Sequence, residues 1–77
     1  METVLEDGTY DAVIIDADEV DDGSGVLHVE LTIVAGPHIG EIVAVRGRFD
    51  GRNALELLGL PATIVVADGR PDVRVDA

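Results

Sequence analysis

Asn53-Ala54-Leu55-Glu56-Leu57-Leu58-Gly59-Leu60-Pro61 is the stretch in which the apolar pattern changes its period. Asn53 is a favourable helix N-cap. Glu56 stands three residues on, the spacing at which each side chain satisfies the other residue's backbone N–H. Gly59 suits the left-handed position beyond the last turn, Leu60 can pack back, and Pro61 stops the helix. The segment reads as a short helix, with Asp50 as a rival cap that would lengthen it by about one turn.

On either side of this helix the pattern is that of strands. Val26 to Ala35 alternates cleanly: Leu27, Val29, Leu31 and Ile33 point one way, and His28, Glu30, Thr32 and Val34 the other. That is the period of a sheet with one buried face. Gly36-Pro37-His38-Ile39-Gly40 breaks the strand, and Glu41 to Phe49 runs back. There Val43, Val45 and Phe49 face inward, leaving Ile42, Ala44, Arg46 and Arg48 outward. Upstream, Thr9 to Val20 reads as a long strand, and its run Val13-Ile14-Ile15 predicts a bulge or a stretch buried on both faces. The acidic, glycine-containing Asp21-Asp22-Gly23-Ser24-Gly25 follows as a turn. After the helix come Thr63 to Ala67, a turn over Asp68-Gly69-Arg70-Pro71, and a short strand from Asp72 to Asp76.

The order is β-β-β-α-β-β in one domain, residues 1–77. Five strands with one short helix between the third and fourth match the OB-fold, a partly open Greek-key barrel. An SH3-like barrel and a plain meander with a docked helix are the competing architectures. Barrel closure would also protect the strand edges of so short a chain.

The apolar fraction of 47% supports a core built almost wholly from Val, Ile, Leu and Ala, and there is no Cys to cross-link it. No apolar run reaches the roughly 18 residues of a membrane-spanning helix, and the acidic start Met1-Glu2-Thr3-Val4-Leu5-Glu6-Asp7 lacks the pattern of a signal peptide. The expectation is a cytoplasmic protein without a membrane partner. The net charge is −11, and every cation is Arg. Coding bias, a saline cytoplasm or a basic partner would each account for such a balance. The charge is also polarised: residues 1–40 hold ten acids and no Lys or Arg, whereas residues 41–77 hold six acids and five Arg.

Gly8-Thr9-Tyr10-Asp11-Ala12-Val13, then Leu27 to Ile33, then Ala35-Gly36-Pro37-His38-Ile39-Gly40-Glu41-Ile42-Val43 resembles a pattern of small phage and mobile-element proteins. Some of those are OB-like and associated with single-stranded DNA. The resemblance spans residues 8–43, about half the chain, and rests on structural glycines and strand positions. It implies an accessory protein of DNA metabolism, although a shared fold does not by itself carry function.

An OB-fold that grips single strands needs a cationic groove and aromatic faces for stacking. Here the loop after the first strand carries Asp18, Glu19, Asp21 and Asp22, and the outward side of the second strand has no Lys, Arg, Phe, Tyr or Trp. Against that, Arg46, Arg48 and Arg52 lie within seven residues around Phe49, and Arg70 and Arg74 flank the last turn. Such a set could hold phosphates, or it could pair with the surrounding carboxylates. Phe49 and Tyr10 read as core residues rather than stacking platforms.

Catalytic chemistry has little to stand on. Ser24, His28 and His38 form no spacing typical of a nucleophilic site, and His28 and His38 read as a surface and a loop residue. Aligning Gly23 with the sixth position of an EF-hand loop leaves Val20 and Val29 at ligand positions, so a calcium loop fails. The sequence therefore predicts no enzyme, no cofactor and no metal site. It predicts a binding module whose partner is another protein or a second copy, met through outward Val34, Ile42 and Ala44. Single-stranded nucleic acid bound by the arginines is the alternative, and DNA mimicry by the acidic first half a third reading.

Overall fold

β1 (Gly8–Glu19), twelve residues long, organises the sheet because it pairs on both sides. The computed structural model describes residues 5–20, 25–49 and 53–76. The first part of β1 runs antiparallel to β4 (Pro61–Ala67), from Gly8↔Val66 to Val13↔Pro61. Its later part runs antiparallel to β2 (Leu27–Ile33), from Ala12↔Ile33 to Glu19↔Leu27. β3 (Ile42–Gly47) adds to β2 and β5 (Arg70–Val75) to β4, giving the order β3-β2-β1-β4-β5. The fold is mostly β: five antiparallel strands in a curled half-barrel, with α1 (Ala54–Leu57) between β3 and β4. This is the OB-like order read from the sequence. Full closure of the barrel is not reached, since β3 and β5 stand at opposite ends of the hydrogen-bonded order.

The predicted bulge is present. The β1–β2 register slips by one residue between Ile14 and Asp16. Two consecutive side chains, Ile15 and Asp16, thereby fall on the outer face between buried Ile14 and buried Ala17. A bulge of this kind bends the strand and increases its twist, which lets a single β1 serve two partners. Ile14 meets a further neighbour there: its N–H donates to the Leu60 carbonyl at 3.0 Å, and its carbonyl accepts from Gly59 N–H at 2.9 Å.

Period-two alternation fills the concave side. Leu27, Val29, Leu31 and Ile33 from β2, Val43 from β3, and Ala62, Ile64 and Val66 from β4 are all buried, together with Leu5, Ala12, Ile14, Ala17, Phe49 and Leu57. Val45, Val73, Val75, Tyr10 and Leu60 pack around this core while partly exposed. The inward and outward assignments of the second and third strands hold, Phe49 included.

The helix ends follow their sequence signals. Asn53 Oδ1 accepts from Glu56 N–H at 2.9 Å, and Glu56 Oε1 accepts from Asn53 N–H at 3.0 Å. Gly59 takes a φ of +80°, and Leu60 turns back into the core. Leu57 is the only α1 residue that is fully buried, whereas Leu55 is 81% exposed. The rival cap Asp50 and the turn Asp21-Asp22-Gly23-Ser24 lie outside the described residues.

The strand boundaries lie within two residues of the sequence reading, and the shifted starts of β4 and β5 have clear physical reasons. The last hairpin turns on Asp68-Gly69 alone, at φ of +53° and +75°, so Arg70 and Pro71 belong to β5. An Asp-Gly pair with both φ positive is the two-residue turn whose twist matches the flanking strands. Asp7 supports it, its carboxylate accepting from Asp68 N–H at 3.1 Å and Gly69 N–H at 3.2 Å. β4 likewise starts at Pro61, since a proline that ends a helix is tolerated as the first residue of a strand.

Leu57 is the helix's principal anchor. Leu57→Ala should cost about 2–5 kcal/mol and Asn53→Ala about 1 kcal/mol, whereas Leu55→Ala should stay within about 0.5 kcal/mol. Urea unfolding followed by circular dichroism checks the ranking. Equal losses at Leu55 and Leu57 would show that α1 docks through another face.

Candidate functional site

The outer, convex face of the sheet collects most of the residues singled out in the sequence. Its rows follow from the register. Arg46, His28 and Asp18 stand opposite one another across β3, β2 and β1. In the next row are Ala44, Glu30 and Asp16, then Ile42, Thr32, Val13 and Pro61. Asp11, Thr63 and Arg74 make a further row across β1, β4 and β5. Val34 joins the face at its edge, its N–H donating to the Asp11 carbonyl at 2.9 Å.

The three apolar residues expected at an interface are exposed as predicted. Val34 keeps 44% of its surface and Ile42 48%, and Ala44 is exposed beside Ile42. Two further residues extend the patch. Ile15 is 46% exposed because the bulge carries it outward, and Ile39 is 65% exposed on the turn between β2 and β3. The Val13-Ile14-Ile15 run signalled a bulge, but not which of the three would be expelled. Large apolar side chains on one side of a small sheet exceed the scattered exposure that needs no explanation.

The arginines divide between the two ends of the strand order. Arg46 and Arg48 lie on and just after β3, at one end of the strand order, while Arg70 and Arg74 lie on β5 at the other. Three strands, β2, β1 and β4, intervene in that order. Arg52 lies outside the described residues. Among the described residues, no carboxylate lies within salt-bridge distance of Arg46, Arg70 or Arg74. Of the acids expected to repel phosphate or mimic DNA, Asp18 and Glu19 close β1, while Asp21 and Asp22 fall outside the described residues. Asp16 stands directly opposite Glu30, an unfavourable like-charge pair on the outer face.

A second cluster sits where the β2–β3 turn meets the start of β1. His38 Nδ1 pairs with a Glu41 carboxylate oxygen, and the Tyr10 ring meets the His38 ring edge-on, at 5.6 Å between centroids and 76° between planes. Tyr10 Oη donates to the Glu6 carbonyl. Desolvation of the ring pushes the Tyr10 hydroxyl pKa above its usual 10.0, with the charges of Glu6, Asp7 and Glu41 adding to the effect. His38 is thus a structured turn residue held by two neighbours. Among the described residues, no three His, Asp or Glu side chains gather as a metal-binding group. No described helix is long and apolar enough to cross a membrane.

Comparison with protein-family models, curated proteins and solved structures found no match.

Two measurements follow from these charges. Tyr10 is the single tyrosine and the chain has no Trp, so phenolate absorbance reads it alone. Its titration midpoint should lie above 10.0 and fall in Glu6→Gln. Since the folded-state pKa is the higher one, the associated stability is present below the unfolded value and is lost as pH rises through the folded one. A midpoint unmoved by Glu6→Gln would discard the Glu6 contribution. Separately, Glu30→Gln should stabilise the fold by about 0.2–1 kcal/mol at low salt, with the gain shrinking as salt screens the pair. Chemical denaturation at two ionic strengths reads this directly.

Proposed function

We propose that the protein is a non-enzymatic OB-like binding module that docks another protein on the outer face of its sheet around Ile42. The observation that carries this reading is the shared exposure of Ile15, Val34, Ile39 and Ile42 on and beside β1, β2 and β3. Covering such side chains removes apolar surface from water at roughly 25 cal/mol per Å². Charge favours a basic partner, because the net −11 attracts one over distance while Asp16, Asp18 and Glu30 border the patch. The resemblance over residues 8–43 adds a setting: a nucleic-acid-handling protein of a phage or mobile element. Binding of single strands by the chain itself is less well supported, since the net charge of −11 opposes the approach of a phosphate backbone.

The test compares wild type with Ile42→Glu and Ile15→Glu in quantitative cross-linking capture from the organism of origin, with folding verified by circular dichroism. A basic protein held by wild type and lost in both variants is the expected result. Capture unchanged in both would remove this face from consideration. In parallel, fluorescence anisotropy of a labelled single-stranded oligonucleotide at low and high salt should show no saturable binding. Saturable binding that weakens with salt and disappears in Arg46→Gln/Arg48→Gln would replace the protein-docking reading with a nucleic-acid one.

A further inference from the structure

β5 ends the strand order, and among the described residues no strand pairs with its far edge. The groups that this edge presents follow from the ladder. Ala67 and Arg70 flank the two-residue turn as a hydrogen-bonded pair, and Asp76 N–H donates to the Pro61 carbonyl at 2.9 Å. Antiparallel ladders alternate. The backbone groups of Arg70, Asp72, Arg74 and Asp76 therefore face β4. Those of Val73 and Val75, with the Pro71 carbonyl, face the open edge. The Pro71 nitrogen sits on that edge too, where a residue without an N–H is tolerated.

Side chains alternate in the other direction. Val73 and Val75 lie half-buried on the core side, while Arg70, Asp72, Arg74 and Asp76 are exposed on the outer side. The outer series is thus cation, anion, cation, anion at every second residue. Such a series is complementary to itself when reversed.

We propose that this edge pairs with the same edge of a second copy, antiparallel and centred on Val73, joining the two sheets across a two-fold axis. Val73 then stands opposite Val73, and the two exchange both backbone hydrogen bonds. Each Val75 N–H donates to the Pro71 carbonyl of the other copy, which makes four inter-copy bonds despite the missing proline donor. On the outer face each Asp72 lies opposite an Arg74 and each Arg70 opposite an Asp76. Asp76 Oδ2 accepts from Thr63 Oγ1 at 2.7 Å, leaving its other oxygen for Arg70. On the core side the half-buried Val73 and Val75 gain apolar neighbours.

The register is selected by charge. A slip of one residue sets groups facing the edge against groups facing β4 and loses the bonds. A slip of two sets Asp72 against Asp72 and Arg70 against Arg74, or Arg74 against Arg74 and Asp72 against Asp76, and like charges directly opposite are destabilising. Location argues for a second copy as well. Two molecules of charge −11 repel, yet residues 70–76 carry two Arg and two Asp and sum to zero. Self-contact there incurs the least long-range repulsion. The β3 edge, with Arg46 and Arg48 and no acid between them, lacks this symmetry.

Light scattering coupled to size exclusion tests the pairing on the whole chain. Wild type should give twice the 8.1 kDa monomer mass, dissociating on dilution. Arg74→Asp places Asp opposite Asp twice, Asp72→Arg places Arg opposite Arg twice, and each alone should be monomeric. An equimolar mixture of the two should regain the doubled mass, because each acidic pair then meets a basic one. Ile42→Glu should remain dimeric, which separates this edge from the outer-face docking surface. Wild type monomeric up to about 1 mM, dimers undiminished in both single variants, or a mixture that stays monomeric would each overturn the pairing.

Discussion

A single strand shared between two ladders is the constraint on which this fold rests. Ala12 and Val13 are paired with β2 on one side and β4 on the other at the same time, so β1 holds the two halves of the sheet together. A flat strand of this length could not curl both partners around one small core. The one-residue slip at Ile15 supplies the bend, and it does so where Ile14 also receives the Gly59-Leu60 segment that follows α1. The curl and the exposure of Ile15 both go with that slip, and the segment after α1 meets β1 beside it.

Curling without closing has consequences at both ends of the sheet. A closed barrel has no edges, whereas this half-barrel leaves β3 and β5 at the ends of its order. Edge strands are places where further chains add. The two edges are chemically unlike: β3 runs into Arg46 and Arg48, while β5 alternates arginine with aspartate and has Pro71 among its edge groups. The proline lowers the number of donors available to any chain, and the alternating charges restrict which chain fits in which register. An open edge of that kind discriminates among partners in a way that a uniformly apolar edge does not.

Charge and packing pull against each other on the outer face. Apart from the bulge in β1, apolar residues fill the concave side by alternation, and among the described residues no polar side chain is buried there. With sixteen acids in 77 residues, some carboxylates must become neighbours, and Asp16 opposite Glu30 is one result. The bulge contributes here as well, because it sets Ile15 and Asp16 side by side on the same face. An apolar group and an acidic pair thus share adjoining rows, a combination suited to a partner that offers both apolar surface and positive charge.

Local signals were enough to determine much of this from the sequence. The period of Leu27 to Ile33 assigned each side chain to a face. Asn53, Glu56, Gly59 and Pro61 set the ends of the helix, and the order of elements gave the OB-like architecture with Val34, Ile42 and Ala44 outward. Each of these depends on residues within one turn or one strand of each other. What only the tertiary structure decided depends on which strands are neighbours. Arg46 and Arg48 stand at one end of the strand order and Arg70 and Arg74 at the other, because β2, β1 and β4 pair between them. Ile15 rather than Val13 or Ile14 became the expelled residue through the register with β2. The alternation of Arg70, Asp72, Arg74 and Asp76 was visible in the sequence, but its position on an open edge was not. Pairing between distant strands is fixed by where the whole core closes, and no local pattern encodes that.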